Sequence, residues 1–284
     1  NDEYAALTES QRKQYVAENR LVQRINEIVT ERGSTTMVGL AVRQMGTVRA
    51  TTAVKGQNGG GYLLAHGKTT AILNTATEIG NDFVRVAEKL GDLVVGEGSV
   101  TAVTPVTLAS ETQLDAESFH PSLVRAEGQN ILIGSKAVVQ ATGGKIEVNA
   151  SVTPRNSPLF VGADTGVADA SRIVVSPEAL LDVSGISGLE LDMSRNQMSG
   201  RLFAINLADS PLQRSGVLYR KNILFDAREG VEVANVTEFY NLIARSAAEK
   251  STAGGTIALQ ADGAVVVGSG ATLNVSGGSV HYAK

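Results

Sequence analysis

The side chains best placed for chemistry in this sequence are carboxylates with arginines close by: Asp164, Asp169 and Glu178, then Asp182, Glu190 and Asp192, with Arg172 and Arg195 nearby. Two carboxylates facing each other can cleave a glycosidic bond, and carboxylates on Ca2+ beside an Arg or Lys base can cleave an acidic polysaccharide. The surrounding pattern speaks against that use. Asp182, Glu190 and Asp192 alternate with Leu181, Val183, Leu189 and Leu191, and alternate residues of a strand face opposite sides. With the apolar partners inside, these acids point to solvent, and no second acidic cluster stands opposite them. His66, His120 and His281 are scattered beside Gly, Pro or Tyr and read as loop residues. No Gly-x-Ser-x-Gly elbow, Walker loop, Gly-x-Gly-x-x-Gly or Gly-Gly-x-Gly-x-Asp calcium repeat occurs. The sequence therefore predicts no catalytic residue, no metal site and no cofactor. Tyr219, Arg220, Phe239 and Tyr240 are the candidate partner-binding residues, with a glycan as one conceivable ligand.

The elements that position these residues are visible in residues 254–278. Three apolar pairs, Ile257/Leu259, Val265/Val267 and Leu273/Val275, recur there at a spacing of eight, separated by Gly, Ala, Asp and Ser. Each pair has the period of a half-buried strand, and the separators suit tight corners. The Gly-Gly doublet returns after 23 residues, from 254 to 277. Three strands and three corners in about 23 residues predict one coil of a three-sided, right-handed parallel β-helix, an all-β solenoid that must stack several coils to bury a core.

The pattern repeats at Ile131/Ile133, Val138 and Ile146/Val148, then at Ile173/Val175, Leu181/Val183 and Leu189/Leu191. Ala179–Gly185 restates Ala271–Gly277 at a distance of 92 residues, four times 23. Residues 1–34 read as an amphipathic helix flanking or capping the solenoid: Thr8 and Gln11 form a capping box, Val16, Val22, Ile25 and Val29 make a stripe, and Gly33 ends it. Residues 35–125 read as irregular coils, with Asn74 to Leu90 open between helix and strand. Residues 126–197 read as regular coils. Residues 198–253 form an extra-helical arm, with a strand over Val217–Phe225 and a helix from Asn235 or Thr237 to Lys250, and 254–284 form a last regular coil. About nine coils, or a rod of roughly 40 Å, are expected. Any partner binding is expected on the arm, where the chain departs from its repeat.

Composition fits. The chain has 30 glycines, no Cys, no Trp and 4% aromatic residues, with a net charge of −4. A narrow interior of Val, Ile, Leu and Ala needs few rings. There is no basic footprint for nucleic acid, no cysteine for disulfides or thiolate metal sites, and no apolar run approaching 18 residues for membrane insertion.

Several strings are more particular. Leu207–Arg214 (LADSPLQR), Phe225–Arg228 (FDAR), Ala248–Ile257 and Ala271–Gly278 resemble a block of the filamentous haemagglutinin-type exoproteins, as do Asp169–Gly185 and Leu189–Asn206. The resemblance covers about residues 125–284. It implies a long right-handed β-helical fibre, exported by two-partner secretion through an outer-membrane transporter. Such fibres are secreted, sit on the bacterial surface and serve virulence through cell adhesion, aggregation or biofilm formation. The family's Asn-Pro-Asn secretion motif is absent from these residues, Asn156-Ser157-Pro158 being the nearest string. The expectation is thus an internal fibre segment, not an enzyme, whose partners are the transporter for the whole protein and a host or bacterial receptor or glycan. Two alternatives stay open: a β-helical polysaccharide-cleaving enzyme or tailspike-like depolymerase, and a passive stalk of a contact-dependent toxin-delivery protein.

Overall fold

The computed structural model describes residues 27–55, 59–67, 69–73, 83–87, 90–107, 111–152 and 169–283. They form a mostly β structure with parallel sheets. The first sheet holds Glu27–Thr30, Thr47–Thr52, Val100–Pro105, Val138–Ala141, Leu180–Asp182 and Thr272–Asn274. The second holds Ser34–Val38, Gly60–Leu64, Leu123–Gly128, Lys145–Ala150 and Thr256–Ala261, and the third Ala41–Gln44, Asp92–Val95, Asn130–Ile133, Arg172–Val175 and Ala264–Val267. The chain visits first, second and third sheet in that rotation five times, then returns to the first.

Register explains the alternating pattern. In the first sheet Ile28, Val48, Thr101, Val139, Leu181 and Leu273 form one row across six strands. Val124, Ile146 and Ile257 align in the second sheet, and Val42, Leu93, Ile131, Ile173 and Val265 in the third. These rows meet in one apolar core in which Leu93, Ile131, Ile146, Ile173 and Leu181 are fully buried. At about 25 cal/mol per Å2, burying such side chains is the main favourable contribution to the fold. The spacing-of-eight pairs of residues 257–275 thus fall on the second, third and first sheets in turn.

One corner is kept tight on successive circuits. Between third and first sheet, Ser99, Ala137, Ala179 and Ala271 donate their N–H to the carbonyls of Gly96, Gly134, Ser176 and Gly268. The residue before each donor has a left-handed backbone: Gly98 (φ 64°), Lys136 (57°), Glu178 (62°) and Gly270 (81°). Two circuits thus place a charged residue where glycine is favoured, and Lys136 and Glu178 meet at 3.8 Å. Insertions leave from the other two corners. Between second and third sheet sits the antiparallel hairpin Thr69–Leu73/Phe83–Ala87. Between first and second sheet lie residues 106–107 and 111–122, and the arm.

The sequence expectations need several corrections. Among the described residues the first sheet has six strands, about 24 Å at about 4.8 Å per interval, against the expected nine coils. Leu181 and Leu273 are direct register neighbours, so the 92 residues between them close one circuit through the arm; their division by 23 was a coincidence. An uninterrupted circuit, Arg125 to Glu147, takes 22 residues. Residues 8–26 of the expected helix lie outside the described residues, and residues 27–30 form a strand paired with Thr47–Ala50 where the last turns of that helix were expected. Within the ambiguous stretch Asn74 to Leu90, Phe83–Ala87 is a strand.

In the arm, the strand is Asn222–Asp226, shorter than expected, pairing antiparallel with Gln197–Arg201. The single helix through Lys250 is two short helices, Thr237–Tyr240 and Ala247–Lys250. Ala244–Arg245 between them is a strand that pairs with Gln113–Leu114. Tertiary pairing prevails there over helical periodicity, and Ser246 restarts the helix with a capping box to Glu249.

Candidate functional site

Three of the candidate carboxylates, Asp169, Asp182 and Asp192, brace turns, as Asp226 of the arm does. Asp169, Asp182, Asp192 and Asp226 each accept a hydrogen bond from the N–H two residues on, at Ser171, Ser184, Ser194 and Arg228, at 2.7–2.9 Å. Asn274 does the same with Ser276 at 3.1 Å, and its register pairing with Asp182 makes the polar ladder expected from their matching strings. Asp169 also accepts from the Val152 N–H. Burial pushes its carboxyl up, but the bonds from Ser171 and Val152 prevail and hold it below its ordinary value. The Ser194 bonds lower Asp192 likewise. Arg195 is drawn away to Glu249. Asp164 lies outside the described residues. Among the described residues no group of three or more His, Cys, Asp or Glu is placed to hold a metal ion, and no helix is long and apolar enough to cross a membrane.

The arm has a core of its own, with Leu202, Leu207, Phe225 and Val236 buried. The candidate binding aromatics pack around it. Phe239 tilts against Phe225 at 6.0 Å between ring centroids, and Tyr219 and Tyr240 lie half-buried against the same cluster. The exposed Arg220 covers the Tyr219 ring at 5.3 Å. The structure thus brings Tyr219, Phe239 and Tyr240 together as packing, with Arg220 at the surface. The most exposed large apolar side chains of the arm are Ile205, Val217 and Leu224, 74%, 86% and 70% exposed.

Loop 111–119, which the sequence did not single out, clasps the root of the arm. Asp115 meets Arg245 at 3.1 Å and Lys250 at 3.6 Å. Lys250 also donates to the Leu114 carbonyl at 3.3 Å and lies 5.9 Å from the Phe119 ring centroid. Opposite charges at 115 and 245/250 were the available signal, but nothing in the linear order pairs them. His66 makes an isolated bridge with Leu90. His281 lies in the strand Val280–Ala283, paired with Glu190, and so is no loop residue. His120 sits at the lip of a cleft on the outer face of the second sheet.

Among the described residues the last row of the sheets is exposed. Val265 and Val267 continue rows whose previous members, Ile173 and Val175, are fully buried, yet they are 42% and 46% exposed. Leu273 is similarly exposed after Leu181. No protein-family model, no curated protein and no solved structure matches the chain.

Proposed function

We infer that the chain is an internal segment of a secreted, surface-associated bacterial fibre, built as a right-handed parallel β-helix and acting as scaffold and adhesin, not as an enzyme. The observation that carries this is the fixed rotation through three parallel sheets combined with an uncovered last row, Val265, Val267 and Leu273. A lone circuit cannot bury its inner row, and an exposed apolar row at a sheet edge is a surface suited to stacking. The right hand follows from the general preference of parallel crossovers. The strings resembling filamentous haemagglutinin-type exoproteins support export by a two-partner transporter, and the turn-bracing carboxylates support a role without catalysis.

Adhesion fits the arm, an independent packing unit that presents large apolar side chains to solvent. Beads coated with the chain should adhere to bacterial or host epithelial cells, and Ile205→Asp with Val217→Asp should abolish adhesion while leaving thermal stability unchanged. Equal adhesion by bare beads, or full adhesion by the double variant, contradicts the adhesive role of the arm.

A further inference from the structure

We propose that the outer face of the second sheet carries a binding site for a carboxylated saccharide, a uronic-acid glycan. A cleft of about 240 Å3 opens there, lined among others by Tyr62, His120, Leu123, Arg125, Lys145 and Glu147. Three neighbouring strands build it. Tyr62, Arg125 and Glu147 occupy one outward row by register, about 10 Å long over two strand spacings. Lys145 stands two residues before Glu147 on the same strand, opposite Leu123. His120 comes from the insertion that enters the second sheet at Leu123.

The polar groups of this cleft are only partly used. Arg125 donates through Nε at 3.0 Å and Nη2 at 2.7 Å, both to Oε2 of Glu147. Among the described residues nothing engages Arg125 Nη1, Glu147 Oε1, the Lys145 ammonium, the His120 ring or the Tyr62 hydroxyl. The Arg125 and Glu147 side chains are 18% and 26% exposed, so the pair is largely buried by its neighbours yet still lines the cleft. The Tyr62 ring folds back over Gly60, where a Cβ would come within 2.5 Å of it. Glycine at 60 therefore leaves room for this ring, which lines the same cleft as Arg125 and Lys145.

The composition selects the ligand. Two cations, Arg125 held on Glu147 and the exposed Lys145 without a partner among the described residues, stand against one carboxylate and favour an anion, and charge-assisted bonds from them are the strong kind. Glu147 Oε1 can only accept, which suits a hydroxyl and repels a second anionic group. A flat aromatic face suits the apolar side of a sugar ring. A ligand with one carboxylate per hydroxyl-bearing ring meets all three demands. A bare phosphate leaves the ring and Glu147 unused, and a densely sulfated chain meets Glu147 as a like charge.

This deepens the adhesive reading, on which its biological setting rests, but it is measured on the isolated chain in solution, so its failure leaves the scaffold standing. Calorimetric titration with a galacturonate trimer should show saturable binding. The neutral galactose trimer and a heparin oligosaccharide should bind at least about tenfold more weakly. Lys145→Ala and Tyr62→Leu should each weaken the galacturonate affinity by about tenfold or more, with unchanged thermal midpoints. Absence of galacturonate binding, equal binding of the neutral trimer, tighter binding of heparin, or unchanged affinity in both variants overturns the proposal.

Discussion

Arg195 donates to the Glu249 carboxylate at 2.6 Å, joining the entry and exit of the arm across 54 residues. The same Arg195 nitrogen donates to the Ala244 carbonyl at 3.0 Å, and Glu249 also accepts the Ser246 N–H at 2.7 Å. Glu249 is almost wholly buried, its side chain 5% exposed, whereas Arg195 is a third exposed. Removing Arg195 therefore leaves a buried carboxylate without its cation.

Arg195→Met should destabilise the protein by about 2 kcal/mol, below the full figure for a buried pair because the guanidinium is partly solvated. The arm should loosen first. Limited proteolysis should then cut within 198–245 faster than in the parent while the sheets persist. An unchanged cleavage rate contradicts this role for the pair.

The corner ladder gives a signed comparison. Gly98 has a left-handed backbone and open space around its missing side chain. Gly98→Ala should thus cost about 1–2 kcal/mol through backbone strain alone. Lys136→Gly, at the equivalent corner, should cost nothing or gain up to about 1 kcal/mol, since relief of strain outweighs the added freedom of the unfolded chain. Denaturant midpoints measure both, and equal losses in the two variants contradict the shared corner geometry.

Thr101 sits in the buried row between Val48 and Val139, and its hydroxyl has no hydrogen-bond partner among the described residues. Thr101→Val keeps the shape and removes the desolvated hydroxyl. It should stabilise by about 1–2 kcal/mol, seen as a higher urea midpoint at unchanged slope. A lower midpoint contradicts the inward placement of residue 101.

Asp226 is held at about 2 by the Arg228 side chain and backbone bonds. Arg228 in turn lies over the Tyr282 ring at 5.4 Å, tying the arm to the last strand. The folded value lies below the unfolded one, so this contact contributes fully above about pH 4 and is lost as pH falls through about 2. Carboxyl NMR titration should place the Asp226 midpoint near 2, with Tyr282 ring shifts following it. A midpoint near 4 contradicts the pairing.

Much of the sheet structure was legible because strand alternation is local: Ile131/Ile133, Ile173/Val175 and Val265/Val267 stand two residues apart and lie in one sheet. The matching of Asp182 with Asn274 was legible too, since their strings nearly repeat. The number of circuits was not. Leu181 and Leu273 are neighbours only because the arm returns to its point of departure, and that return is set by Arg195 with Glu249 and by Asp115 with Arg245 and Lys250. Such long-range ion pairs leave no periodic trace. The cleft was hidden for the same reason: Tyr62, Arg125 and Glu147 become a row only once three circuits stack.

The stacking itself is tested most directly by a disulfide. Leu180 and Thr272 are register partners in the first sheet, and the chain contains no cysteine of its own. Parallel neighbours about 4.8 Å apart fall within the reach of a disulfide. The double variant Leu180→Cys with Thr272→Cys should close an intramolecular bond under mild oxidation, identified by peptide mass spectrometry, while Leu180→Cys with Ala264→Cys should not. If 180 and 272 were four circuits apart, about 19 Å would separate them. A free thiol at both positions after oxidation of the folded protein would then be found, and the account of one circuit closed through the arm would be contradicted.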